Sequence, residues 1–414
     1  MLNFRGWRNQ MWEPGSCDQE RSKVNPKKGN MKKAVFIVSA LVLLLIGLGF
    51  TRPLSHLKNY LKWGVHTIHD HQTHPTRKVS RSSVPQPWAT DTFYNKVKIP
   101  TELMQIIDSN DTHAFLVIRG GKLLYERYWD GYDSVRLSGS FSAAKSIISL
   151  LVGIALDEGR IGSLNDPAGK YLPHFTTNGL EKVRIKDLLT MSSGTNYDES
   201  DKGYFSMNAS AYYGDDLMYM VSRMERKEEP GIYWEYRSGD SQVLGLIVEK
   251  VFGKSISELV AEKFMDPMGA EQEARWMLDG AGNHEKAFCC FSAIARDYAR
   301  FGQLLINKGR WGNRQIVSES YLKDALTPAS YLKDRTENDK PVDYYGYQYW
   351  IFSHKGVPVY AMNGLFGQYV YILPQQEAVV VRLGESKVTK PIHHYQPENF
   401  TYIDAALSLM SQLQ

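Results

Sequence analysis

The stretch "SFSAAKSIISLLVGIALDEGRIG", Ser140 to Gly162, decides how the rest of the chain is read. Ile147, Ile148, Leu150, Leu151, Val152, Ile154, Ala155 and Leu156 surround a helical wheel on almost every side, and a helix apolar all round belongs inside a core. Gly159 supplies its stop. Lys145 follows Ser142 by three residues, so a helix that starts near Ser142 sets the amine one turn on along the same face. A Lys pointing into a core is costly unless its charge is paired or lost. Beside a serine, that cost has a chemical use. The helix N-terminus favours developing negative charge, and burial lowers a Lys pKa from about 10.4 until the neutral amine can take a serine proton.

Ser-x-x-Lys occurs at Ser55, Ser142, Ser320 and Ser330, but only Ser142 opens an apolar helix after a strand-rich segment. "HAFLVIRGGKLLYERYW", His113 to Trp129, alternates apolar and polar residues about Arg119-Gly120-Gly121, a hairpin pattern. A second hairpin is expected in "YVYILPQQEAVVVRLG", Tyr369 to Gly384, turning at Pro374-Gln375-Gln376. Phe400 to Gln414 is amphipathic and helical in pattern, and so is most of the region 160–307. Strands at both ends with helices between predict an α/β sheet domain carrying an inserted helical domain. No Gly-x-Ser-x-Gly elbow is present, which argues against an α/β-hydrolase.

The 414 residues carry a net charge of +4, divided into +9 over the first 80 and −5 over the remainder. A mildly acidic body excludes nucleic acid as an expected partner. Three cysteines cannot build a disulfide framework, and the adjacent Cys289 and Cys290 read as two small core residues rather than a strained vicinal disulfide. "HTIHDHQTH" places His66, His69, His71 and His74 in a polar tether without the supporting partners of a metal site. No metal and no other cofactor is expected. Ala34 to Phe50 is 17 residues without a charge, which reaches about 25 Å as a helix, near the lower limit for a bilayer. Eight Lys or Arg precede it, so the positive-inside rule puts the N-terminus in the cytoplasm and the body outside. A cleaved signal peptide is the competing reading. The expected layout is a basic segment 1–33, a transmembrane anchor 34–50, a linker 51–95 and a hydrolase domain 96–414 with its helical insert at about 160–307.

Four further segments follow Ser142-x-x-Lys145 in order: "IKDLLTMSSGTNY", "YWEYRSGDSQVLG" with Tyr236-Arg237-Ser238, "AIARDYARFGQLLINKGRW" and "NGLFGQYVYILP". The series resembles the serine β-lactamase-like hydrolases, which include class C β-lactamases, penicillin-binding DD-peptidases, family VIII esterases and 6-aminohexanoate-dimer hydrolases. It is most similar to the esterase and aminohexanoate-hydrolase branch. The resemblance implies a β-lactamase-like fold, an antiparallel sheet flanked by helices. It implies Ser142 as the acylated nucleophile, Lys145 as its base and Tyr236 as the proton-exchanging tyrosine, with Ser238 touching substrate or Lys145. The third family motif, Lys-Thr-Gly or His-x-Gly, is matched by Met362-Asn363-Gly364 on a strand expected to line the cleft. Asn363 and Gly364 are then substrate-facing, and the backbone N–H groups of Ser142 and Leu365 form the oxyanion hole. Met362 supplies no cation for a substrate carboxylate; Arg223, Arg226 and Arg237 are the candidates to replace one.

These expectations describe a serine hydrolase that cleaves a small ester or amide through an acyl-enzyme, held at a bacterial inner membrane by its N-terminal helix with the body in the periplasm. The alternatives are a DD-peptidase or β-lactamase, and a non-catalytic scaffold that keeps the fold.

Overall fold

The computed structural model of the protein describes residues 28–49, 54–199, 205–386, 394, 395 and 397–413. The chain divides into two units, 1–47 and 48–414. The apolar run up to Gly49 lies within a helix, Lys28–Gly49, whose side chains from Val35 to Leu44 are exposed. Among the described residues no helix is long and apolar enough to cross a membrane. Residues 1–27 of the expected basic segment 1–33, and Phe50, lie outside the described residues.

The second unit is built on a six-stranded antiparallel sheet. Its order is Trp350–His354, Val357–Gly364, Gln368–Leu373, Ala378–Gly384, Thr112–Arg119 and Lys122–Tyr128. Both predicted hairpins are present, and the second lies beside the first through the pairing of Val381 with Leu116. Period-2 alternation sorts the side chains to two faces. Leu116, Ile118, Val379 and Val381 join the larger core, while Phe115, Val117, Ala378 and Val380 join a second one. The C-terminal helix Glu398–Ser411 covers that second face with Tyr402, Ile403, Ala405, Ala406 and Leu409. The buried helix Ala144–Asp157 contributes to the larger core.

The insert is helical, with Ile185–Leu189, Met207–Tyr213, Leu217–Ser222 and Ser238–Phe252. Ala295–Ile306, within the range expected for the insert, instead lies on the sheet. A Cβ at Gly302 would come 2.5 Å from Val379 Cγ1, so only glycine allows that approach.

The expected linker also needs correction. Where it is described, 54–95 is part of the body: Ser55–Trp63 is a helix, and Thr76–Val79 pairs antiparallel with Ala274–Met277. Its polar composition concealed this because several of its polar groups find partners on the body rather than in water. Asn59 Nδ2 donates to Tyr213 O and to Asp215 Oδ1, both at 2.7 Å. Buried Asp70 accepts from Tyr212 Oη at 2.6 Å.

Candidate active site

Ser142 stands in a single 3₁₀ turn, Phe141–Ala143, that runs directly into Ala144–Asp157. That helix is buried from Ala144 to Ala155, so Lys145 has no route to solvent and is 1% exposed. Its Nζ donates to Ser142 Oγ and to the carbonyl of Phe288, each at 2.8 Å. Among the described residues it has no ion pair. Burial lowers its pKa from 10.5 to about 8, opposed in part by the charge of Glu199.

Tyr236 precedes the helix Ser238–Phe252 and approaches from the other side. Lys145 Nζ lies 4.9 Å from its ring centroid, and Tyr236 and Ser142 line the same cavity. Burial, and then the charge of Glu199, push the phenol well above its ordinary pKa. The ring is fixed by stacking on Trp350 at 5.9 Å and by an edge contact with Tyr345 at 6.3 Å. Beside Ser142 thus stand an amine whose proton burial loosens and a phenol whose proton burial holds.

Ser238 opens its helix with both its N–H and its Oγ donating to Glu199, at 2.5 and 2.6 Å. Its hydroxyl, at the cavity wall, donates to Glu199 rather than to Lys145. Glu199 was not singled out in the sequence, where "YDES" carries no motif; only the folded chain brings it to Ser238 and Tyr236.

The strand Val357–Gly364 ends against the same turn. A Cβ at Gly364 would fall 2.0 Å from the carbonyl oxygen of Ser140, so glycine is required for the strand to reach the serine. Asn363 Oδ1 is buried without a hydrogen-bond partner. Met362, expected on the cleft, is fully buried in the larger core. Alternation along the strand turns its side chain away from the cavity that Asn363 and Gly364 line.

One cavity of about 740 Å³ joins these parts and is lined by Ser142, Tyr236, Ser238, Asn363, Gly364 and Leu365. Aromatic rings dominate the remaining wall, among them Tyr212, Tyr213, Trp350 and Tyr369. A further part comes from the former linker, through His56, Leu57, Tyr60, Val65 and His66. Among the described residues no Lys or Arg lines it, and Glu199 is its acid. The arginines proposed as substitutes are placed elsewhere. Arg237 is buried and paired with Glu228 and Glu235, Arg226 pairs with Glu229, and Arg223 lies over Tyr219.

Two further expectations meet the structure here. Cys289 and Cys290, read as separate thiols, are joined in a vicinal disulfide, with Cys289 in the cavity wall. A left-handed backbone at Cys290, φ +75°, turns the chain there. The histidine run is packed rather than solvated: His66 lines the cavity and His74 lies 4.2 Å from the Trp63 ring. Among the described residues no group of His, Cys, Asp and Glu could hold a metal ion.

A sequence model of the beta-lactamase family matches residues 111–399. The chain belongs to the beta-lactamase family. The 6-aminohexanoate-dimer hydrolase of Paenarthrobacter ureafaciens is 26% identical over 300 residues, 68% of this chain and 74% of that protein. Two solved structures share the fold. A Bacillus anthracis protein assigned as a 6-aminohexanoate-dimer hydrolase has a TM-score of 0.69 at 23% identity, covering 86% of this chain and 94% of that one. A family VIII carboxylesterase has a TM-score of 0.60 at 18% identity, covering 78% and 99%. The family match contains Ser142, Lys145, Tyr236 and the strand end at Gly364, but not the cavity wall from His56 to His66.

The burial of Met362 leads to a test. Met362→Lys places an unpaired ammonium in apolar packing, and an uncompensated buried charge costs about 3–5 kcal/mol. Urea denaturation should show a loss of that order with no gain of carboxylate binding; a stable Lys variant would place this side chain in the cavity after all.

Proposed function

We propose that this protein is a serine hydrolase that cleaves a small, uncharged ester or amide through an acyl-enzyme on Ser142. The observation that carries this reading is the 2.8 Å hydrogen bond between Lys145 Nζ and Ser142 Oγ inside a buried helix. A Lys pKa near 8 leaves a useful fraction of free amine at neutral pH. As Ser142 Oγ bonds to the carbonyl carbon, its proton passes to Lys145, and the carbonyl π pair moves onto oxygen. The N–H groups of Ser142 and Leu365 hold that oxyanion in place of water. Collapse expels the alkoxide or amine, which takes a proton from Tyr236, and Lys145 returns a proton to Tyr236. Water then attacks the acyl carbon, its proton leaving through the same two groups, and Ser142 recovers its hydroxyl. Asn363, Gly364 and Ser238 face the substrate, with the unpaired Oδ1 of Asn363 as an acceptor for it.

The charge of the cavity supports the substrate class. A β-lactam or a D-Ala-D-Ala peptide presents a carboxylate, and the described wall offers it Glu199 but no Lys or Arg. The name of one relative, a 6-aminohexanoate-dimer hydrolase, supports a hydrolytic reaction.

Membrane attachment rests on the sequence alone, on the 17 uncharged residues from Ala34 to Phe50 behind eight Lys or Arg. On that reading the body lies outside a bacterial inner membrane.

Ser142→Ala should abolish p-nitrophenyl butyrate hydrolysis and block labelling by a fluorophosphonate, located by mass spectrometry. Lys145→Ala should lose about 10²- to 10⁴-fold. The base works deprotonated, so wild-type kcat/KM should rise with pH through about 8, where Lys145 loses its proton. A flat profile from pH 6 to 9 would remove Lys145 from the base role. On specificity, steady-state kinetics should give a higher kcat/KM for p-nitrophenyl butyrate than for nitrocefin; the reverse order moves the protein to β-lactam hydrolysis. On location, the intact chain should sediment with membranes, and external protease should release the body. A soluble form starting near Phe50 would show a cleaved signal instead.

A further inference from the structure

Two residues beside the reacting groups hold backbone conformations that side chains disfavour. Phe141, immediately before Ser142, has φ +43°, and Phe366, immediately after Leu365, has φ +60°. Left-handed backbone at a non-glycine residue costs free energy and persists only where the surroundings over-determine it. The restraint below Phe366 is plain: buried Arg382 Nη1 donates to the carbonyls of Phe366 and Gly367 at 2.8 and 2.9 Å, and the Ser386 N–H donates to Phe366 O at 3.0 Å. Above it, the two phenyl rings meet edge-to-face at 5.3 Å and 84°. His66 closes the group, stacked on Phe366 at 5.6 Å and 28° and edge-on to Phe141 at 5.8 Å and 72°. Tyr212 lies against it at 5.6 Å, and Tyr213 Oη is 3.5 Å from its Nδ1.

From this geometry we propose that His66 is a positioning residue: its ring locks the Phe141–Phe366 pair and so aligns the N–H groups of Ser142 and Leu365 on one oxygen. The proposal rests on the nucleophile and oxyanion roles given above. His66 comes from a segment outside the 111–399 family match, so the part of the chain that caps the cavity also sets the geometry of its reacting centre. The contribution is the ring surface rather than proton transfer. Preorganised donors act only on the oxygen as charge develops, so their misalignment lowers kcat more than it raises KM.

The test uses the full chain with p-nitrophenyl butyrate, following kcat and KM, and a fluorophosphonate, following the rate at which Ser142 is labelled. His66→Leu, which fills the space without a ring face, should lower kcat and the labelling rate about tenfold to a hundredfold with KM nearly unchanged. His66→Phe, which keeps the face and removes both ring nitrogens, should restore kcat to within about threefold of wild type and leave the pH profile of kcat in place. If His66→Leu does not fold, Phe366→Leu removes the same stack from the other side and should give the same split. A rise in KM at unchanged kcat would make His66 a substrate wall and overturn the proposal. Failure of His66→Phe to restore kcat would assign the role to a ring nitrogen and overturn it equally. Turnover retained by Ser142→Ala would bring down the nucleophile reading and this proposal with it. An inactive Ser142→Ala beside a His66→Leu of wild-type kcat would bring down this proposal alone.

Discussion

An amine sealed inside an apolar helix, in contact with a serine hydroxyl, is the constraint on which the remainder of the site depends. Water is excluded from Lys145, so its hydrogen bonds must come from protein, and Ser142 Oγ and the Phe288 carbonyl provide them. Phe288 is set by the turn through Cys289 and Cys290, and Ser142 by the turn at Phe141. Both turns are therefore tied to one ammonium position. Moving either would leave a buried polar group unpaired, a cost of about 1–3 kcal/mol or more for a charged group.

The same burial separates the two titrating partners. Desolvation opposes whichever form is charged, so it favours the amine of Lys145 and the neutral phenol of Tyr236. Glu199 opposes the first effect and strengthens the second, because its negative charge raises both groups. Its own place is set by the N–H and hydroxyl of Ser238. A helix N-terminus favours an anion there, so the carboxylate sits where the backbone already welcomes it, close enough to bias both proton carriers.

Two layers of different origin converge on Ser142. The sheet brings Gly364 against Ser140, and the helical insert brings Tyr236 and Ser238. The segment 54–66 then supplies a third wall from outside the family match. This wall is aromatic and uncharged apart from its histidines, so it shapes the volume open to a substrate without offering a partner for a carboxylate.

The serine, the lysine and their helix were legible in the sequence because a lysine in an all-apolar helix has few physical reasons to exist, and because the signal is local. The hairpins at Gly120 and Pro374 and the C-terminal helix were legible for the same reason: periodicity of 2 or 3.6 records which face is buried. Tyr236 became legible through its ordered neighbours, a pattern that local chemistry alone does not supply. The direction of Met362 was not legible, since one register step along a strand exchanges core for cavity and nothing in the triplet marks that step. Glu199, the sulfur pairing of Cys289 with Cys290, and the aromatic group of His66, Phe141 and Phe366 join residues far apart in sequence or depend on backbone angles. The segment 54–95 reads as a solvated tether because its composition is polar. Only tertiary contact shows Asn59 and Asp70 paired with protein, since composition reports how much a segment needs partners but not whether water or another part of the chain provides them.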